Sequence, residues 1–148
     1  MEKLNLKRDE KEFYILEVND NGDTIKFDLM DIGLIDRIIK GAEKIENIDN
    51  EMIAKEKEIE EMHKDNEEMI VKLETQFELE KCLELRKVFD SFLGEGACQK
   101  IFGDTNRKEQ FILLLEALEP HFEKMKILKN EAKKKLANKY LPKNDDVM

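Results

Sequence analysis

Residues 92–106 read Phe92-Leu93-Gly94-Glu95-Gly96-Ala97-Cys98-Gln99-Lys100-Ile101-Phe102-Gly103-Asp104-Thr105-Asn106. Three of the six glycines in the chain fall here, between two long charge-rich stretches of helical spacing, so the corner between those rods is placed in this span. Gly94 is placed as the residue just past a helix C-terminus. Residues 97–102 suffice for one or two helical turns, Gly103 ends them, and Asp104-Thr105-Asn106 opens a last helix. Asn106 and Glu109 have capping-box spacing. Gly94, Gly96 and Gly103 let the chain reverse twice. Phe89, Phe92, Leu93, Ile101 and Phe102 then close over the corner as a small core.

The 148 residues set one domain, mainly α-helical with a small N-terminal β-hairpin (an α+β chain in which helix dominates). Residues 1–30 are expected to carry the hairpin. Residues 31–93 form a long helix or helical hairpin of coiled-coil character, 94–142 the corner and a C-terminal helical bundle, and 143–148 a disordered tail. In the hairpin, residues 12–18 and 24–29 read as strands joined by Asn19-Asp20-Asn21-Gly22-Asp23, whose Asn-Gly pair supplies the positive φ of a tight turn. Ile25, Phe27 and Leu29 alternate with Lys26 and Asp28, giving one apolar face. A two-stranded hairpin is barely stable alone, so that face must rest on a helix or on a partner.

A helix is expected to start near Asp31, whose carboxylate suits a helix N-terminus. Ile32, Ile35, Ile38, Ile39, Ala42 and Ile45 follow at helical spacing, with Gly41 marking a kink or a close helix contact. A heptad frame then runs Ile45, Met52, Ile59, Asn66, Leu73 at one core position and Ile48, Lys55, Met62, Met69, Gln76 at the other. Asn66 fits two readings: a polar core residue that fixes register in one continuous helix, or part of a turn, His63-Lys64-Asp65-Asn66, that closes a helical hairpin; a break near Asn47 to Asn50 is the other place where the helix could end. From Phe77 the stripe broadens, as packing into a compact helical core requires. Phe111, Leu114, Leu115, Leu118, Phe122, Met125 and Leu128 form the apolar face of the last helix, which Pro120 is expected to kink or to break after Leu118.

The net charge of −9 argues against nucleic-acid binding, which needs phosphate neutralisation. Residues 51–84 hold 12 acidic and 5 basic side chains, whereas residues 124–148 hold 8 basic and 3 acidic. Opposite ends of opposite sign suit head-to-tail pairing between copies, or simply two solvated faces. No apolar run approaches the roughly 20 residues of a membrane span. Two cysteines make no disulfide framework, and the first residues lack the apolar segment of a secretory signal, so a cytoplasmic location with reduced thiols is expected.

Enzyme signatures are missing: there is no Walker loop, dinucleotide fingerprint or nucleophile elbow. No cofactor or metal is therefore expected. His63 reads as solvated and His121 as a packing or surface residue, and neither has a histidine partner at zinc-site spacing. Cys82 falls on the apolar stripe. Cys98 lies near a helix start, where a thiolate would be favoured, but has no base beside it. Acidic pairs such as Glu60-Glu61 and Glu67-Glu68 lack the spacing of a calcium loop. The apolar seam Met52, Ile59, Met62, Met69, Leu73 is the candidate partner surface, rich in adaptable methionine and suited to an amphipathic helix.

The run Val88-Phe89-Asp90-Ser91-Phe92-Leu93-Gly94-Glu95-Gly96, followed by Lys100-Ile101-Phe102-Gly103-Asp104, Asn106 and the helix 114–122, resembles a family of small proteins from the tail-gene modules of phages and prophages of Gram-positive bacteria. Phe27, Asp28 and Asp31 ahead of the first helix look similar too. The resemblance covers about half the chain and leaves out residues 45–73. It implies a tail assembly chaperone: a small, mainly helical cytoplasmic protein that oligomerises and coats an apolar tape-measure protein before the tail tube polymerises. The rival expectation is a coiled-coil structural component that stays in the particle.

Overall fold

The structure, a computed structural model, describes residues 1–6 and 10–140. A short 3-10 turn leads into strands β1 (Phe13–Glu17) and β2 (Thr24–Asp28). Four helices follow: α1 (Gly33–Met62), α2 (Glu67–Leu93), α3 (Ala97–Phe102) and α4 (Lys108–Tyr140). The expected tail, 143–148, lies outside the described residues. No helix among the described residues is long and apolar enough to cross a membrane.

The strands pair antiparallel, with Tyr14 opposite Phe27 and Leu16 opposite Ile25. This register puts four large side chains on one face. Ile25 and Phe27 are buried there, while Ile15 on the other face is 52 % exposed. The turn is held by Asn19, whose Oδ1 accepts from the N–H groups of Asn21 and Asp23 at 2.9 and 3.2 Å. The hairpin rests on α4: Phe27 meets Phe122 edge-to-face at 6.2 Å, and the Tyr14 hydroxyl hydrogen-bonds to His121 Nδ1 at 2.6 Å. His121 is thus a packing residue.

Asp31 caps α1 from two residues outside it. Its Oδ1 accepts from the Gly33 N–H at 2.9 Å, and Arg37 Nη2 donates to Oδ2 at 2.6 Å. The inner face of α1 is Leu34, Ile38, Gly41, Ile45, Ile48 and Met52, all buried or half-buried. Ile32, Ile35 and Ile39, expected on the same stripe, point outward at 90, 49 and 53 % exposure. Helical spacing alone does not say which of two apolar stripes faces the core.

The long helical region is a hairpin, not one rod. The His63 N–H bonds to Ile59 O, the Asn66 N–H bonds to His63 O, and Asn66 Oδ1 accepts from the Met69 N–H at 3.1 Å. Asn66 is therefore the N-cap of α2, and the heptad frame ends there. Lys55, Met62 and Gln76, which that frame places in a core, are exposed. The antiparallel register brings Gly41 against Phe92, Glu51 against Lys81, Glu56 against Glu78 and Glu60 against Glu74, in order from base to tip.

α2 ends at Gly94, whose φ of 113° and ψ of 152° lie in a region open essentially to glycine alone. α3 occupies residues 97–102 and stops at Gly103. α4 starts at Lys108 and runs through Pro120 without a break, so the expected interruption after Leu118 does not occur. The hydrogen bond that a proline cannot donate is tolerated because Phe111, Leu114, Leu118 and Met125 hold both sides of the proline to the core.

Candidate functional site

The glycine corner is built by side chains that reach across it. Asp90, in the last turn of α2, accepts the Cys98 N–H with Oδ1 at 2.9 Å, so it caps α3 from outside that helix. Arg86, one turn earlier, donates through Nε to Asn106 Oδ1 at 2.7 Å and through Nη2 to the carbonyls of Gly103 and Thr105 at 2.8 and 2.6 Å. Its guanidinium also lies 5.9 Å from the Phe102 ring centroid. Asn106 thus spends its carboxamide oxygen on Arg86, and the expected capping box with Glu109 does not form.

Most other motif residues do similar work. Phe89, Phe92 and Leu93 are buried, while Ile101 and Phe102 are half-buried against the same core. Asp104 Oδ1 accepts from Gln99 Nε2 at 3.0 Å. Lys100 ties α3 to the hairpin: its Nζ donates to Thr24 O at 3.2 Å, and its carbonyl accepts from Asn19 Nδ2 at 2.9 Å. Gly94 and Glu95 are exposed, and Gly96 precedes α3 in a left-handed conformation. The corner joins α2, α3, α4 and the hairpin, and its Ile101 helps to line a cleft of about 240 Å³ with Leu16, Ile25, Leu114 and Leu118. Arg86 was not among the sequence candidates, because its partners lie 17 to 20 residues away and leave no local pattern.

The candidate partner seam is not an open surface. Met52 and Ile59 are buried at 2 and 5 % exposure, and Met69 and Leu73 are half-buried in the α1–α2 interface. Met62 stands apart at 69 % exposure, at the end of α1. Once α2 folds back on α1, the chain fills this groove with its own side chains.

Open apolar surface lies elsewhere. Two clefts open along the line where α1 and α4 run side by side. One, of about 410 Å³, is lined by Leu34, Ile35 and Ile38 of α1 and by Phe122, Met125 and Lys126 of α4. The other, of about 250 Å³, is lined by Ala42, Ile45 and Asp49 of α1 and by Phe111, Ile112 and Leu115 of α4.

A family model described as a family of unknown function matches residues 21–146. The chain belongs to the DUF6673 family. No curated protein and no solved structure matches it. The DUF6673 match takes in β2, all four helices, the corner and both helices that flank the clefts, and starts after β1.

Burial is the first cause of the shifts at Glu74, Glu78, Cys82 and Cys98 of this DUF6673 member. Burial, reinforced by Asp90, pushes the Cys98 thiol up to about 12, and its Sγ–H points at Arg86 O at 3.6 Å. The thiolate expected near a helix start is therefore disfavoured, because desolvation outweighs the helix end. Burial also raises Cys82. At the hairpin, Glu56 and Glu60 face Glu78 and Glu74. Desolvation raises Glu74 and Glu78, with the neighbouring carboxylates adding to it. Lys108 is the cation beside them, 3.0 Å from Glu56 Oε1. Among the described residues, no group of three or more His, Cys, Asp or Glu side chains is arranged to hold a metal ion.

Proposed function

We propose that this chain is a non-enzymatic assembly chaperone of the phage tail type, which oligomerises in the host cytoplasm and keeps a tape-measure-type tail protein soluble until assembly. The observation that carries the reading is apolar surface left in the open on long helices. Ile32, Ile35, Ile39, Ile53, Ile112, Leu113, Ile127 and Leu128 are each 40 % or more exposed, although the chain is 41 % charged and has polar residues to spare for these positions. Large apolar side chains left exposed in this number along helices mark places where other protein is bound. The resemblance of residues 88–106 to tail-module proteins supplies the kind of client, although that motif itself serves the corner.

Co-expression with a tape-measure protein tests the reading, with the client's soluble fraction as the readout. A clear rise with this chain present is expected, and an unchanged fraction sinks the proposal. Mass spectrometry of purified particles separates the rival: a chaperone is absent from the finished tail, whereas a structural component remains in it.

A further inference from the structure

The two clefts lie end to end along α1 and α4 and are treated as one groove. Their lining residues advance from 34 to 52 along α1 while they retreat from 130 to 108 along α4, so the helices run antiparallel and the clefts lie end to end. From Ile35 to Asp49 the groove runs roughly 20 Å at the rise of an α-helix. Ile35 and Ile112 line its two ends and are 49 and 52 % exposed. Ile39 and Ile53 continue the α1 lip at helical spacing, at 53 and 58 %.

The two ends differ in charge. The end nearer the hairpin base carries Lys126 and Lys129, offset in part by Glu123. The other end carries Glu46 and Asp49. Lys108 is at that end too, but it is engaged by Glu56 at 3.0 and 3.1 Å. An apolar strip that is basic at one end and acidic at the other is complementary to itself after a two-fold rotation.

We propose that this groove is a homodimer interface, in which the α1–α4 groove of one chain docks antiparallel on the same groove of a second copy. Lys126 and Lys129 of each copy then meet Glu46 and Asp49 of the other, and the exposed isoleucines of each lip enter the facing cleft. Such an isologous contact satisfies both charged ends at once, and it covers Ile35, Ile39, Ile53 and Ile112 while leaving Ile32, Leu113, Ile127 and Leu128 outside it for a client. A foreign helix would need the same charge dipole to do as well, whereas a second copy carries it by construction. The inference rests on the reading of the chain as a self-associating factor and supplies the surface for it.

Analytical ultracentrifugation of the full chain tests it. A dimer is expected at about 10 μM, and Ile35→Glu with Ile112→Glu is expected to yield a monomer of unchanged helix content, both positions being half-exposed in the monomer. Two charge-reversed variants, E46K/D49K and K126E/K129E, should each dimerise at least about tenfold more weakly alone. Mixed together they should restore association, because each then presents the sign that the other lacks at both ends. A wild-type chain that stays monomeric at about 100 μM overturns the proposal, as does a dimer that survives the isoleucine changes or a mixture that gains nothing. A monomer that still solubilises the client would sink this interface and leave the chaperone reading standing. A dimer that fails to hold the client would do the reverse.

Discussion

At Gly41 the Phe92 ring of α2 packs directly on the backbone of α1. A Cβ there would lie 2.6 Å from Phe92 Cδ1 and 2.7 Å from Cε1, and Phe92 is itself buried against Phe89. Of the two sequence readings, a kink or a close contact, the close contact is the one that forms. Gly41→Ala would gain about 1 kcal/mol of helix propensity. It must also push a packed ring aside, which typically costs about 1–3 kcal/mol. The variant should therefore melt lower than the parent, or no higher, in thermal denaturation; a clear rise in melting temperature would show that the ring moves freely. Cys98 offers a second check at this scale. With the thiol at about 12, only about one part in ten thousand is thiolate at pH 8. Cys98 and buried Cys82 should both resist a disulfide reagent in the native chain. Both should react at once in guanidinium, and rapid native labelling of either would show that the corner opens easily.

At the scale of elements, the α1–α2 hairpin carries an electrostatic burden near its tip. Glu74 Oε1 is buried and has no donor unless a proton sits between it and Glu60. Glu78 faces Glu56 in the same way, and Lys108 of α4 is the cation that offsets them. Because Glu74 and Glu78 hold protons more tightly folded than unfolded, their favourable contribution is whole below the ordinary glutamate range. It is lost as pH rises through their elevated values. E74Q/E78Q should thus flatten the decline of the urea midpoint as pH rises above the ordinary glutamate range; an unaltered pH profile would refute the assignment. The hairpin also shows where sequence is readable. The turn at Asn19–Asp23 and the end of α2 at Gly94 were legible because both need backbone angles that few residues adopt. The turn at 63–66 was not, because it contains neither glycine nor proline, and Asn66 suits a helix cap as well as a heptad core. At Pro120 the sequence left a kink or a break open, and the break does not occur, because buried side chains of α4 lie on both sides of the proline.

For the whole molecule, what sequence leaves unsaid is which of several apolar stripes the fold will use. The seam Met52, Ile59, Met69, Leu73 and the stripe Ile35, Ile39, Ile53 are equally apolar in sequence, yet α2 covers the first and leaves the second open. The difference arises because α4 lies beside α1 without closing over it, a relation between segments far apart in sequence with no local signature. The same placement brings a basic end and an acidic end onto one groove and predicts how association answers to salt. Lys126, Lys129, Glu46 and Asp49 lie at the rims, where solvent ions screen them, whereas the isoleucines respond to salt weakly and in the opposite sense. Raising NaCl from about 0.05 M to about 0.5 M should weaken the dimer by severalfold without abolishing it. K126E/K129E, which repels its own kind, should instead associate more tightly as salt rises. Sedimentation equilibrium across that range reads both slopes, and two slopes of the same sign would mean that the charged ends do not face each other.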